Sequence, residues 1–235
     1  MIASTVKSAA LAGARDGLPF WVVVGPLSVL FGVLATEAGL TLTQTLAMTT
    51  LVIAGASQFA ALQLMQDGAG FWLILAGALA VNLRMMMYSA ALIPWLGPAP
   101  LWQRAVASFV MFDQPYALGV LRYEARPAEP VAAKIAYYLG VGLPMAVMWV
   151  ALSMVGALVG ARIPEGFALD FALPITFIAL VAPMLKTLAH VAAAATSVVV
   201  ALALRGMPAG TGLLIAAAAA MAVGATVETV RGRWA

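Results

Sequence analysis

The sequence predicts an all-α integral membrane protein with about eight transmembrane helices (seven or eight). Of its 235 residues, 64% are apolar and only 9% are charged, whereas a soluble domain has roughly 45–50% apolar and about 25% charged residues. The mean hydropathy is +1.04. The apolar residues form continuous runs, which indicate spanning helices, whereas an outer-membrane barrel has short alternating segments. Such a composition also excludes a disordered chain.

The length leaves room for one transmembrane domain and little else. A spanning helix takes ~20 residues, so eight spans use roughly 160 residues and leave about 75 for ends and loops. We therefore expect a single domain over residues 1–235. The predicted spans cover residues 18–38, 45–65, 71–96, 101–121, 135–160, 168–185, 188–204 and 210–227.

The boundaries between these spans differ in clarity. The first span follows Lys7 and Arg15, and its apolar run is too long for the core of a signal peptide. Spans four and five are separated by the most polar stretch, residues 122–134, which we expect to be a solvated loop. Only Lys186 and Thr187 separate spans six and seven, which leaves a tight turn, a kink and a re-entrant pair as alternatives.

Lysine and arginine in short loops favour the cytoplasmic side, and their distribution orients the chain. A path of eight spans that starts inside places eight of these residues inside and three outside. We therefore expect both termini and the loop 122–134 in the cytoplasm. The inside set is Lys7, Arg15, Arg122, Arg126, Lys134, Lys186, Arg231 and Arg233, and the outside set is Arg104, Arg162 and Arg205.

The composition also excludes several classes of chemistry. With no cysteine and one histidine, disulfide bonds, thiolate ligands and histidine-based metal sites are not expected. The basic residues are scattered, which argues against nucleic-acid binding. No GxxxxGK[ST] motif is present, so no ATP site is expected, and no catalytic cofactor is implied. An intramembrane enzyme needs a nucleophile and a base, and neither a Ser–His nor a paired-carboxylate arrangement is visible.

Two charged residues fall deep inside predicted spans. Arg84 and Asp113 each lie near the middle of the bilayer, where a charge costs at least ~2.5–3.5 kcal/mol. Arg84 either anchors a substrate carboxylate or forms a structural pair. Asp113 binds a substrate amine, carries a coupling proton, or pairs with Arg84. Pro115 removes a backbone donor beside it, and a broken helix next to a carboxylate is how secondary transporters build their sites.

Three uncharged polar residues are further candidates for substrate contact. Asn82 lies two residues before Arg84, so on a regular helix the two point about 200° apart. A single site can use both only if the helix is locally unwound. Ser57 and Gln58 lie in the middle of span two, where packing between helices is as good an explanation as substrate binding.

Glycine and proline suggest interruptions and close contacts. Gly25-Pro26 predicts either a discontinuous first helix with backbone groups at the site or an ordinary proline kink. The segments 17–20 and 142–145 are similar and hint at an internal repeat. Gly156 and Gly160 form a GxxxG motif, and residues 216–220 are all alanine. Both features predict close helix packing, either internal or against a partner.

Taken in order, these residues resemble AzlC-type branched-chain amino acid permeases, the large subunit of a bacterial amino-acid exporter. The resemblance covers about residues 13–160 and continues more loosely to the end. Its marks are Gly17-x-Pro19, Pro26, Phe31-Gly32, Gly55-Ala56-Ser57-Gln58-Phe59, Asn82-Leu83-Arg84, Tyr88, Asp113, Trp149, Gly156, Leu169-Asp170-Phe171, Pro174 and Phe177.

The chain departs from the family pattern at three positions. Ser28 replaces a common glycine, Met85 stands where histidine is frequent, and Gln114 stands where glutamate is frequent. Two ionisable positions are therefore neutral, and Asp113 is left as the candidate for proton coupling.

The resemblance implies a secondary transporter that exports branched-chain amino acids such as valine or leucine. It also implies a small membrane partner of the AzlD type with about four spans. One buried cation, one buried anion and many aliphatic side chains agree with a small amphoteric substrate. The alternatives are a permease for another small amphoteric or anionic solute, and a structural membrane subunit with no substrate path of its own.

Overall fold

The computed structural model describes residues 2–162, 178, 185–207 and 211–232. All regular structure within these ranges is helical. The helices are α1 (Ile2–Gly17), a 3₁₀ turn (Leu18–Phe20), α2 (Trp21–Glu37), α3 (Leu42–Leu51), α4 (Gly55–Gln66), α5 (Phe71–Leu96), α6 (Leu101–Phe109), α7 (Asp113–Ala125), α8 (Val131–Gly160), α9 (Leu188–Ala203) and α10 (Thr211–Gly232).

Within the described parts of the chain, three helical stretches are long and apolar enough to cross a membrane: Val6–Glu37, Phe71–Leu96 and Val131–Gly160. The second coincides with predicted span three. The first and third begin earlier than spans one and five, since α1 and the start of α8 extend them at the N-terminal side. The helices α9 and α10 match spans seven and eight to within a few residues, whereas most of span six lies outside the described residues.

Predicted spans two and four are each divided into two helices. Residues 52–54 separate α3 from α4, with Val52 in extended conformation (φ −129°, ψ 95°). Residues 110–112 separate α6 from α7, with Phe112 extended (φ −143°, ψ −177°). The second break lies where Pro115 cannot donate a hydrogen bond to the preceding turn, so the interruption expected beside Asp113 is confirmed.

The interruption considered at Gly25-Pro26 is not found, because α2 continues through Pro26. The chain instead tightens into the 3₁₀ turn Leu18–Phe20, which has proline in its first turn. Proline is well tolerated there because its missing N–H has no helical partner to satisfy. In α2 the loss of one donor at Pro26 leaves the helix continuous, since the rest of its ladder remains.

The chain forms two compact units: residues 1–58 with 79–164, and residues 59–78 with 165–235. In the first unit α8 is the central helix, and α1 and α2 pack along it in the same direction. Gly13 and Gly17 of α1 face Tyr137 and Val141, whereas Gly160, farther along α8, faces α2 at Val33 and Thr36.

Glycines bring α2 and α8 into backbone contact. A Cβ on Gly32 would collide with the carbonyl oxygen of Ser153, and one on Gly156 would collide with that of Val29. A Cβ on Gly160 would meet the Cα of Val33 at 2.9 Å. The GxxxG motif is therefore used inside the first unit, which leaves it unavailable to a partner.

The helices α6 and α7 form a hairpin, so α7 ends on the same side of the first unit on which α6 begins. At one extreme, Asp113 at the start of α7 contacts Arg84 in the middle of α5. At the other, Tyr123 near the end of α7 lies 6.0 Å from Trp95 at the end of α5, measured between ring centroids. Helix α7 thus runs parallel to the second half of α5, and α6 precedes it in the opposite direction.

The start of α8 lies at the same end, since Lys134 Nζ is 4.7 Å from the centre of the Trp95 ring. We call this the basic end of the first unit, because Arg104, Arg122, Arg126 and Lys134 lie toward it, as does Lys7 in α1, which packs on the start of α8. The sequence predicts one crossing over residues 101–121, whereas the chain reverses at residues 110–112. The physical reason is length, because helices of 9 and 13 residues are too short to cross a bilayer.

In the second unit, α9 packs along α10. A Cβ on Gly224 of α10 would lie 3.3 Å from the Cβ of Ala193. Ala216 and Ala220 are buried, so at least part of the alanine run serves internal packing.

Helix lengths repeat along the first half of the chain. The series α3, α4, α5 has 10, 12 and 26 residues, and the series α6, α7, α8 has 9, 13 and 30. The segments 17–20 and 142–145 differ locally, because the first forms the 3₁₀ turn and the second lies within α8. The repeated pattern of two short helices and one long helix therefore has a register other than the one expected from sequence.

Candidate functional site

The two intramembrane charges form an ion pair at the second helix break. Arg84 Nη1 of α5 lies 2.9 Å from Asp113 Oδ2 at the start of α7. The other carboxylate oxygen, Oδ1, accepts a hydrogen bond of 2.9 Å from the Tyr88 hydroxyl. Both oxygens of Asp113 are therefore engaged, and by residues one turn apart on the same face of α5.

A pair of tyrosines flanks this carboxylate. The rings of Tyr88 and Tyr116 are stacked, with centroids 4.0 Å apart and planes at 11°. Tyr116 follows Asp113 by one helical turn, so the stack joins the same two helices as the ion pair. Together these contacts fix the start of α7 against the middle of α5.

The helix break suits the carboxylate electrostatically. Asp113 is the first residue of α7, where unpaired backbone N–H groups and the helix dipole favour a negative charge. Pro115 lies within this first turn, where the absence of its N–H costs little. The sequence Asp113-Gln114-Pro115 thus both ends the preceding segment and begins α7 with an anion.

The ion pair is partly exposed, and Arg84 keeps hydrogen-bond donors that Asp113 does not use. The side chain of Arg84 is 24% exposed and that of Asp113 is 46% exposed, so the described residues do not enclose them. Arg84 uses only Nη1 toward Asp113, and its buried Nε has no hydrogen-bond partner among the described residues. A guanidinium in a structural pair usually forms two parallel hydrogen bonds with the carboxylate, whereas this one keeps donors for a second acceptor.

Asn82 is not brought into this site. Helix α5 is continuous through Asn82 and Arg84, so their side chains leave it in different directions. The local unwinding that one shared site requires is absent. The side-chain oxygen of Asn82 is buried and has no hydrogen-bond partner among the described residues.

Ser57 and Gln58 hold the first helix break. Ser57 Oγ donates to the carbonyl of Ala54 at 2.9 Å, and Gln58 Nε2 donates to the carbonyl of Met48 at 3.1 Å. The second bond spans ten residues, which requires the chain to fold back at the break. Gly55 permits this packing, because a Cβ there would meet the Trp149 ring at 2.9 Å.

Gly25 and Pro26 lie in α2, away from the contacts of the ion pair. Gly25 lines an open groove of about 760 Å³ between α2 and α8, and a Cβ on it would lie 3.5 Å from Leu152 Cδ1. The groove is apolar, with Trp21, Leu143 and Val147 among its lining residues. Its chemistry offers no partner for a charged solute.

Sequence reasoning missed Tyr88 and Tyr116 as members of the site. The signal for Tyr88 was present, because it lies four residues after Arg84 and hence on the same face of a helix. Tyr116 lies three residues after Asp113 and gave the corresponding signal for α7. The stacking of their rings requires α5 and α7 to be in contact. The spacing of residues within one helix does not indicate such a contact.

Two comparisons find sequences similar to this chain. A profile of the AzlC protein family matches residues 19–163, which is more than half of the chain. The inner membrane protein YgaZ of Escherichia coli (strain K12) is 25% identical over 179 residues, covering 70% of this chain and 69% of that protein. No solved structure matches.

The matched residues include both helix breaks, the ion pair and most of α8. This apolar, helical chain is a membrane protein with a transport-related role. The chain belongs to the AzlC protein family.

Proposed function

We propose that this chain is the large subunit of a secondary transporter that exports branched-chain amino acids, such as valine or leucine, across the bacterial cytoplasmic membrane. The observation that carries the proposal is the Arg84–Asp113 pair, which joins two charges at a helix break and leaves both partly exposed. Secondary transporters bind substrates at broken helices near the middle of the membrane. An α-amino acid carries the two complementary charges.

Substrate binding would exchange partners within the pair. The substrate carboxylate takes the free donors of Arg84, for which the planar guanidinium is suited. The substrate amine takes the Asp113 oxygens, or Asp113 carries the coupling proton. Met111 and Phe112, which form the break beside Asp113, offer apolar surface for an aliphatic side chain. This set of contacts would accept small amphoteric solutes and reject bare cations.

A small membrane subunit of the AzlD type is part of the proposal and rests on family membership. The small-residue motif Gly156/Gly160 packs on α2, and Ala216 and Ala220 are buried within the second unit. These residues therefore give no independent support for the partner. We expect the chain alone to transport poorly.

For orientation, we propose that the basic end of the first unit faces the cytoplasm. Because α6 starts at this end, Arg104 now belongs to the inside set. The path predicted from the sequence places it outside. In the first unit, with intramembrane Arg84 left aside, six of the lysine and arginine residues then lie inside and only Arg162 lies outside. If predicted spans two and four both fold back at their breaks, two crossings are lost from the eight, and the even number that remains keeps both termini in the cytoplasm.

Counterflow in proteoliposomes tests the proposal. The chain is reconstituted with and without its small subunit, vesicles are loaded with one unlabelled amino acid, and uptake of the labelled amino acid is followed. We expect exchange of valine or leucine with the subunit present, and none in the Arg84→Gln/Asp113→Asn double mutant. Exchange restricted to another solute would correct the substrate, and full abundance without any exchange would favour a structural subunit.

A further inference from the structure

A small cavity follows the contact between α5 and α6, from the basic end toward the second helix break. It is lined by Leu96, Leu92 and Ser89 of α5, by Arg104 and Ser108 of α6, and by Tyr138 of α8. Leu96 and Arg104 lie near the basic end. At the other extreme it reaches Ser89, which follows Tyr88 in the sequence, and Met111, which precedes Asp113 by two residues; Asp113 itself does not line the cavity.

The lining combines polar groups that need partners. The Tyr138 side chain is fully buried, and its hydroxyl has no hydrogen-bond partner among the described residues. Arg104 and Ser108 are one helical turn apart and share a face of α6. Both are exposed, as is Ser89. In hydrocarbon these groups are costly, so the face that carries them favours contact with water.

The cavity has a size that suits a few water molecules. Its volume is about 50 Å³. One water molecule needs about 10–15 Å³ of such volume, so the cavity has room for about four water molecules.

We propose that this cavity is a water-filled passage which carries protons between the basic end and the Asp113 carboxylate, while the amino acid uses another route. The inference rests on the proposed transport function. A proton enters from water at the basic end, passes along the hydrogen bonds of water, Ser108, Tyr138 and Ser89, and binds an oxygen of Asp113. The carboxylate becomes a neutral acid, its ion pair with Arg84 is lost, and Arg84 is released for the substrate carboxylate.

The groups that face Asp113 fit this step. Arg84 and Tyr88 of α5 bind its two oxygens, and Tyr116 of α7 stacks on Tyr88. Arg104 lies at the basic end of the passage. Protonation of Asp113 therefore removes an attraction to Arg84 while Tyr88 remains in place.

The first test probes the passage without any transport. Because the chain has no cysteine, Ser89→Cys and Ser108→Cys each introduce a single, nearly isosteric thiol. Membranes are treated with Ag⁺ or with a bulky, impermeant trimethylammonium thiosulfonate. The protein is then unfolded in detergent, and the free thiol is counted by a maleimide gel shift. Ser153→Cys is the matched control, since Ser153 is fully buried in α8 and does not line the cavity.

We expect Ag⁺ to protect the thiols at 89 and 108 and leave the thiol at 153 free. We expect the bulky reagent to leave the thiol at 89 free. Equal reaction of positions 89, 108 and 153 with Ag⁺ would overturn the passage. Rapid modification at 89 by the bulky reagent would overturn the assignment to protons, because a wider route would admit the substrate.

The second test separates proton flow from substrate exchange. Tyr138→Phe removes the buried hydroxyl and keeps the ring. Transport driven by a pH gradient should fall about tenfold, which corresponds to one lost hydrogen bond in the relay, while counterflow changes less than about twofold. Equal losses in both assays, or no loss in either, would overturn the proton route. If the wild-type complex exchanges no amino acid, the transport function fails, and the Ag⁺ result still decides the passage.

Discussion

Arg84 binds Asp113 through one nitrogen only, with 2.9 Å between Nη1 and Oδ2. The pair connects the middle of α5 with the first residue of α7, at the point where the chain reverses. Geometry of this kind holds the hairpin in place and at the same time leaves donors of the guanidinium for another acceptor. A purely structural pair and a pair that binds substrate predict different transport when both charges are removed.

The double mutant Arg84→Gln/Asp113→Asn should fold and should not transport. Replacing both members of an intramembrane pair is mild for stability, whereas removing one leaves the other charge without its partner. Membrane abundance and counterflow are measured side by side. Arg84→Lys should also transport poorly, because an ammonium lacks the planar fork. Near wild-type transport in the double mutant, at equal abundance, would mean that neither residue touches the substrate.

Tyr88→Phe should lower the initial rate of counterflow about tenfold or more. The change removes the hydrogen bond to Asp113 Oδ1, and a hydrogen bond to a charged group contributes about 1.5–3 kcal/mol. Tyr116→Phe is the matched control, since it keeps the stacked rings and leaves both bonds to Asp113 intact. Equal rates in the two variants would show that the Tyr88 hydroxyl has no part in transport.

Cysteines on the two sides of the α6–α7 hairpin should react from the same face of the membrane. Pro98→Cys precedes α6 and Ala128→Cys follows α7, so a hairpin places both at the basic end. Neither should react with an impermeant thiol reagent added to intact cells, and both should react in inside-out vesicles. Labelling of one position from each side would restore a single crossing over residues 101–121. Labelling of position 128 from outside would reverse the orientation.

Gly156→Leu should destabilise the folded chain by at least about 1–3 kcal/mol, because the new side chain meets the backbone of α2 at the Val29 carbonyl. The melting temperature in detergent and the monodisperse yield are the measurements. Gly206→Leu is the control, since a Cβ at Gly206 has nothing within 4 Å. If the two variants melt at the same temperature, the close packing of α2 on α8 contributes little to stability.

The site was predictable in part, because its two charges stand alone in apolar runs. A lone arginine or aspartate in hydrocarbon needs a partner, so Arg84 and Asp113 could be paired before any contact was known. Asn82 could be assigned to the site only if α5 were locally unwound, since on a regular helix it points away from Arg84. Gly25-Pro26 left a break and an ordinary kink as alternatives for the first span, and the break is not found, because one missing donor does not by itself end a helix.

By itself, the sequence determined that the chain lies in a membrane as a bundle of apolar helices, and that two opposite charges lie near its middle. These properties follow from composition and from the cost of burying charge, which act on each segment separately. Only the tertiary structure decided that residues 101–125 turn back at residues 110–112, that GxxxG faces α2, and that Tyr88 completes the carboxylate site. These outcomes depend on which helices meet, and an apolar run has the same composition whether it crosses the bilayer or reverses within it.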